Sequence, residues 1–485
     1  MNTSENRQKK GFTIVELIVV IAVIGILAGI SIVGFKRYQA DTRDARRSSS
    51  ITSIAEALEK YYDINGEYPS CSALSATGTS VSQTTLKGIN QSTLIAPQAN
   101  SADSNSIKCT SSGNVLNSGG VDFFEYQGDN SSNCNGSVSC PQFVLKYKDE
   151  ASGTIKTITS RRSALVTTLA GSGVAGFADG TGTAAQFNRP QGVAVDSSGT
   201  VYESDFYNSR VRKITPAGVV TTFAGSGVQG YADGAGTAAQ FITTFGVAVD
   251  SSGTVYVADF SNHRIRKITP AGVVTTLAGS GVAGYADGTG TAAQFNGPEG
   301  VAVDSSGTVY VGDSINHCIR KISPAGVVTT LAGSGVAGYA DGTGTAAQFN
   351  RPDGVAVDSV GTVYVGDPMN HRIRKITPTG IVTTFAGSSV AGYADGTGTA
   401  AQFITPDGVA VDSSGTVYVA DFSDHRIRKI TPAGVVTTLA GSGIAGYADS
   451  TGTTAQFNGP PSLAVDSAGT VYVADSINHR IRKIQ

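Results

Sequence analysis

Residues 246–279 read GVAVDSSGTVYVADFSNHRIRKITPAGVVTTLAG, and they decide the fold. Four β-rich runs, Gly246–Val249, Thr254–Ala258, Arg264–Ile268 and Val273–Leu277, alternate with the turn signals Asp-Ser-Ser-Gly, Ser-Asn-His and Thr-Pro-Ala-Gly. The unit recurs without a slip, since Asp196, Asp250, Asp304, Asp358, Asp412 and Asp466 are spaced by 54 residues. Four strands per unit and six units predict a six-bladed β-propeller over 165–485, making the chain mainly β. The ends fit closure of a ring. The last unit stops at Ile484-Gln485 after its third strand, while a fourth-strand sequence, LVTTLAG at 165–171, precedes the first unit in matching phase. That strand is expected to complete the last blade and so remove exposed sheet edges.

The unit resembles the NHL-repeat family, whose signature is carried by the run from Val249-Asp250 through Val255-Tyr256-Val257-Ala258-Asp259 to Asn262-His263-Arg264-Ile265-Arg266-Lys267-Ile268. The first unit departs most, with Glu203 in place of the strand valine and Ser209 in place of the histidine. The resemblance implies a propeller that is mostly a binding platform. A few relatives, such as the peptide-amidating lyases, are enzymes that hold a metal through propeller histidines.

Ahead of the repeats, residues 12–35 read FTIVELIVVIAVIGILAGISIVGF, an apolar run with one formal charge, Glu16, preceded by Arg7, Lys9 and Lys10. A helix of that length spans about 36 Å, enough for a hydrocarbon core of about 30 Å. No secretory cleavage signal comes after it. A carboxylate in lipid is costly, so Glu16 needs a partner. Lys10-Gly11 before Phe12, then Thr13, Glu16 and Ile24-Gly25-Ile26-Leu27-Ala28, resemble the type IV prepilin and pseudopilin N-terminus. The resemblance implies that a prepilin peptidase removes the leader 1–11 after Gly11 and N-methylates Phe12. Glu16 then meets the α-amino group of Phe12 in a neighbouring pilin-like subunit, after insertion in the membrane.

The helix is expected to run to residue 64, because Ile51, Ile54, Ala55, Leu58, Tyr61 and Tyr62 recur at helical spacing before Asn65-Gly66. Residues 65–160 then read as a pilin-like α+β headpiece. Residues 70–120 are loop-dominated, and strands at 121–126, 142–148 and 153–159 are expected to form a small antiparallel sheet. Four cysteines fall here, Cys71, Cys109, Cys134 and Cys140, an even number in a segment placed outside the membrane. Two disulfides are expected, with Cys71–Cys109 and Cys134–Cys140 the simplest of three connectivities. Cys318 stands apart as a free, partly buried thiol.

Composition excludes several classes. Lys+Arg 35 against Asp+Glu 37 leaves −2, and residues 165–485 alone hold 19 basic and 23 acidic side chains, so nucleic-acid binding is not expected. The GxGxxG pattern at 171–176 recurs in later units within a β-meander, which marks a loop between blades rather than a dinucleotide site. All five histidines, His263, His317, His371, His425 and His479, share one repeat position. Spread around a ring they cannot converge on one metal, which takes three or four ligands at about 2 Å. No catalytic, cofactor or metal residue stands out from the repeat background.

The units differ most just before the first strand and just after the second, two connections expected on the same face. The candidate ligand face therefore comprises Arg189, Phe245, Glu299, Arg351, Asp353, Met369 and Asp407. Together these readings describe a single-pass protein of the cytoplasmic membrane with its C-terminus outside, later part of a pilus or cell surface. Its expected role is that of a minor or tip subunit whose propeller binds an extracellular protein or glycan. The alternatives are a pseudopilin of a secretion or DNA-uptake system and a surface-tethered propeller lyase or hydrolase.

Overall fold

The computed structural model describes residues 14–65, 68–69, 71–74, 81–87, 89–97, 106–109, 123–128, 143–159 and 164–485. The chain divides into two units, Met1–Ser163 and Ala164–Gln485.

In the first unit, helix α1 (Ile14–Asn65) turns its apolar stripe of Ile51, Ile54, Ala55 and Leu58 onto Tyr68, Leu94, Phe124, Tyr126, Phe143 and Leu145. These come largely from a sheet ordered β1 (Ile107–Cys109), β2 (Phe124–Gly128), β3 (Phe143–Lys148) and β4 (Ile155–Thr159). The pair β1/β2 is parallel and the other two pairs are antiparallel, so the sheet is mixed rather than wholly antiparallel. The segment read as loop contributes β1 and the short turns Cys71–Leu74, Val81–Thr85 and Gln91–Leu94. Its Ser/Thr/Asn composition conceals isolated anchors, Leu74, Val81, Leu86, Leu94 and Ile107, each buried in the core. Asp44 and Arg47 of α1 hold the turn after β3: Asp44 accepts from the backbone N–H of Glu150 and Ala151, and Arg47 pairs with Asp44 and Glu150.

Among the described residues no helix is long and apolar enough to cross a membrane. The 12–35 run falls almost wholly outside them by its side chains, although Val19, Ile21 and Val23 are described and exposed. Gly11 and Phe12 lie outside the described residues, as do Cys134 and Cys140 and the side chains of Glu16, Cys71 and Cys109.

The second unit is a closed six-bladed propeller. Blade 2 is typical, with Thr244–Val249 innermost, then Val255–Asp259, Arg264–Ile268 and Val273–Ala278, all antiparallel. Each blade carries a fifth, two-residue strand on its outer edge, here Gly234–Ala235 paired with Val273–Val274, so the sheets have five strands rather than four. The inter-blade loop folds back there because Gly236 N–H donates to Gly272 O. One turn of 3-10 helix comes next at Gly236–Ala238, and the chain then extends to bring Phe241 into the seam. There it packs between Ala194, Tyr202 and Val211 of blade 1 and Val247, Val255 and Val257 of blade 2. The second strand is buried at every residue because blades cover both of its faces.

The ring closes as the sequence requires. Strand β5 (Leu165–Ala170) pairs with the terminal strand Arg480–Ile484, and Leu165 and Gln485 exchange backbone hydrogen bonds of 2.9 and 3.1 Å. Cys318 is a free thiol and is fully rather than partly buried.

The Arg-Ile-Arg-Lys segments, which supply most of the propeller's basic residues, hide a core element. Their second arginine, Arg266 in blade 2, is fully buried. Its Nη1 donates to Asp259 Oδ2 (2.8 Å) and Gln240 O (3.0 Å), and its Nη2 to Asp233 Oδ1 (2.6 Å) and Ala232 O (2.8 Å). Asp233, from the Asp-Gly turn, also accepts from Thr276 N–H. The guanidinium fork thus ties the Gly-rich loop to its own blade, a geometry that a single ammonium cannot supply.

Candidate functional site

The variable segments meet on one face, around the mouth of the central channel. Asn188 N–H donates to Asp205 Oδ1 (2.7 Å) and Tyr207 N–H to Asn188 O (3.2 Å), which ties the connection before the first strand to the one after the second. The histidines stitch neighbouring blades together on this face. Nδ1 of His263, His317, His425 and His479 accepts from the backbone N–H of Gly297, Arg351, Gly459 and Arg189 in the next blade, at 3.0–3.2 Å. Burial lowers the pKa of these four, which favours the neutral ring needed to accept. Each imidazole engages backbone at a separate seam, and among the described residues no group of His, Cys, Asp or Glu is placed to hold a metal ion.

Opposite blades are built alike. Blades 1 and 4 carry Asn-Arg-Pro before the first strand, blades 2 and 5 carry Ile-Thr, and blades 3 and 6 carry Asn-Gly-Pro. The second residue of this segment is left-handed in four blades, at Arg189 (φ 55), Gly297 (φ 63), Arg351 (φ 56) and Gly459 (φ 59). Glycine adopts that conformation freely and arginine does not. Arg189→Gly and Arg351→Gly are therefore each expected to stabilise the fold by about 1 kcal/mol, read from the urea midpoint at unchanged m.

The position after the proline breaks the two-fold pattern in all three pairs. It holds Gln191, Phe245, Glu299, Asp353, Asp407 and Pro461 in blades 1 to 6. One half of the ring, blades 6, 1 and 2, is neutral at this level, and the other half, blades 3, 4 and 5, is acidic. Gln191, Phe245, Asp353 and Pro461 line the channel, whose cavity of about 210 Å³ has apolar Val-Ala-Val walls from the inner strands. On the neutral side Phe245 contacts Phe206 (5.0 Å between centroids) and Phe260 (4.8 Å), and Tyr207 packs on Phe206 and is exposed.

On the acidic side Glu299 is buried, while Asp353 and Asp407 are half-buried. Burial raises the pKa of all three. Asp353 raises Glu299 further, and Asp353, Glu299 and Asp421 raise Asp407. Arg351 acts in the opposite sense on Glu299 and Asp353. The three carboxyls therefore interact and share protons more readily than isolated acids.

Two glycines bring this arc together. A Cβ on Gly312 would stand 2.6 Å from Asp353 O, and one on Gly366 would crowd Asp407 O. The equivalent residues elsewhere are Ser204, Ala258, Ala420 and Ala474. The inner strand of blade 4 is the shortest, Val355–Val357, yet the residues before it still bond to the second strand: Asp353 N–H donates to Gly366 O (3.0 Å) and Gly366 N–H to Gly354 O (2.9 Å), while Gly354 N–H donates to Asp407 O of blade 5 (3.1 Å). Sequence reasoning singled out the acids and missed these glycines, whose signal is the change from Ala to Gly within the repeat. Of the other candidate residues, Arg189, Arg351 and Met369 are exposed on the same face.

A helix-and-sheet N-terminal unit joined to a closed propeller with one divergent face is the class this geometry defines. Comparison with known proteins then specifies it. Residues 6–32 match the prokaryotic N-terminal methylation motif, and 187–214, 246–268, 295–322, 403–430 and 457–484 match NHL repeats. The chain is a prepilin-type N-terminus fused to an NHL-repeat propeller. Blade 4 lies outside the matched repeats, and its inner strand is the shortest of the six. Among curated proteins, the chloroplastic protein Suppressor of Quenching 1 of Arabidopsis thaliana is 31% identical over 281 residues, covering 54% of this chain and 27% of that protein. The chain spans less than half the length of the curated relatives it matches. Among solved structures, a protein of unknown function from Bacteroides thetaiotaomicron superposes with TM-score 0.53 at 23% identity, covering 72% of this chain and 85% of that one. An auxiliary nutrient binding protein from the same organism superposes with TM-score 0.51 at 17% identity, covering 73% and 86%. These likenesses concern the fold.

Proposed function

We propose that this protein is a minor or tip pilin-type subunit, inserted in the cytoplasmic membrane and then displayed at the surface, whose propeller captures an extracellular protein or glycan. The observation that carries the reading is the division of the ring. The Asp-Ser-Ser-Gly and Thr-Pro-Ala-Gly turns are nearly constant at one end, and sequence differences concentrate around the channel mouth at the other. The matched methylation motif and the exposed Val19, Ile21 and Val23 of α1 support a helix that needs lipid or neighbouring helices as its surroundings. Below the mouth the channel wall is apolar and its lining offers no nucleophile–base pair, which favours binding over catalysis.

The test uses intact cells. Protein released by shearing is expected to begin at N-methylated Phe12. The combined variant Arg189→Ala, Phe245→Ala, Arg351→Ala, Met369→Ala is expected to reach the surface in equal amount but to lose adherence. Retention of Met1 in a membrane-bound protein, or adherence unchanged in the variant, sinks the reading.

A further inference from the structure

The acidic half of the channel mouth has a chemistry of its own, and a ligand for it can be named by class if this face has the binding role proposed for it. Four observations converge. Glu299, Asp353 and Asp407 occupy successive blades at one level of the ring, while the opposite half at that level is Gln191, Phe245 and Pro461. Gly312 and Gly366 let the backbone at Asp353 and at Asp407 approach the preceding blade closely, and Gly354 N–H donates to Asp407 O (3.1 Å). Ser314 is fully buried and its hydroxyl has no hydrogen-bond partner. It nevertheless lies close enough to Glu299 to favour that carboxyl's ionised form. An unpaired buried hydroxyl is costly unless something completes it. Finally, Phe245, backed by Phe206 and Phe260, lines the same channel as Asp353.

We infer that this half-ring is a recognition pocket for an arginine side chain presented by a protein ligand. A guanidinium carries five donors in a rigid planar fork, can span two neighbouring carboxylates, and stacks on aromatic faces. It is also weakly hydrated, which suits a half-buried opening over an apolar channel. An ammonium is a compact point charge that engages the carboxylates without using the aromatic wall as fully. The spacing does not suit a metal ion, because no metal-holding group occurs among the described residues. Arg351 partly offsets the acids from within the chain and Asp421 beyond Asp407 faces Arg428, so an incoming cation meets the three carboxyls against the single guanidinium of Arg351.

Burial, and then their nearness to one another, raises the pKa of Glu299 and Asp407, and burial raises that of Asp353, so a bound cation is expected to drive protons off them. Affinity is therefore expected to rise with pH, and the binding heat to change with the ionisation enthalpy of the buffer.

The full chain in detergent would be titrated calorimetrically with blocked Gly-Arg-Gly, against Gly-Lys-Gly, Gly-Gln-Gly, a glucosamine oligomer and calcium chloride alone. The expected result is binding of the arginine peptide at least tenfold tighter than the lysine peptide, with none for glutamine. Glu299→Gln and Asp353→Asn should each weaken it at least tenfold. Gly366→Ala, which installs the residue of blades 2, 5 and 6, should weaken it too and lower the melting temperature, since its Cβ meets the backbone oxygens of Asp407 and Pro406 and pushes blade 5 away. Equal binding of the glutamine peptide, or preference for the amino sugar or for calcium, overturns the inference. So does arginine binding unaffected by Glu299→Gln and Asp353→Asn. If no peptide binds while the quadruple alanine variant still loses adherence, the arginine pocket is wrong and the capture role stands. If arginine binds while that variant adheres normally, the pocket stands and the capture role falls.

Discussion

Arg266→Ala is expected to destabilise the propeller by about 3–5 kcal/mol, because it leaves a buried carboxylate without its counter-charge. Asp259 is fully buried, and its pKa is raised by burial even with Asn262 and Arg266 acting against that rise. Without the guanidinium, the carbonyls of Ala232 and Gln240 each lose a bond, Ala232 O keeping only Gln240 N–H, and the Gly-rich loop is held by fewer bonds. Arg266→Lys should recover little, since one ammonium cannot serve four acceptors set by a planar fork. Replacing Arg266 and Asp259 together by apolar residues should cost less than the single change, because the one carboxylate left over, Asp233, is exposed to solvent. Urea unfolding of the full chain checks this. A loss below about 1 kcal/mol for Arg266→Ala contradicts it.

Glu203→Val is expected to stabilise the protein by about 2–4 kcal/mol at neutral to alkaline pH. Glu203 is fully buried and neither of its carboxyl oxygens has a hydrogen-bond partner. Its sister residues are Val257, Val311, Val365, Val419 and Val473. Val257 packs in the seam between blades 1 and 2, so Glu203 takes the matching place between blades 6 and 1, beside the blade that β5 closes. Burial, then the nearby Asp205, raises its pKa well above the ordinary 4.5, with Arg212 opposing. A carboxyl whose pKa is raised on folding binds its proton more tightly in the folded chain. Its relative stability is thus complete below the unfolded pKa and is lost as pH rises through the folded one. The wild-type protein should therefore weaken from about pH 4.5 upward, and Glu203→Val should flatten that slope. Melting curves of both across pH read the difference. Equal slopes mean that Glu203 is solvated.

The ring was legible because its signal is repetitive. A spacing of 54 residues, turn residues between β-branched runs, and a displaced LVTTLAG at 165–171 specify blade number and closure without any long-range contact. The two-residue outer strands were not legible, since Gly234–Ala235 has no strand propensity and pairs only because the loop is pinned by Arg266 and Asp233. The same holds for β1, a three-residue strand inside a polar segment. At the candidate site, Glu299, Asp353 and Asp407 were visible as differences between units. Their interaction was not, because it depends on how closely neighbouring blades approach, which Gly312 and Gly366 permit at Asp353 O and Asp407 O. The role of Glu203 was hidden for a related reason: its departure from valine is plain, but only packing reveals that nothing pairs with it.

Ring closure through β5 has a mechanical consequence. The chain enters the propeller at Leu165, at the end where the constant turns lie, and the divergent mouth is at the other end. A load applied at the mouth and resisted at residue 164 must cross the whole ring before it reaches the tether. There it arrives at a strand clamped between Arg480–Ile484 on one side and Ser450–Thr451 on the other. No blade can be pulled off singly, because the first and last segments of the unit are laced into one sheet. The ring is therefore expected to resist a pulling force as a whole.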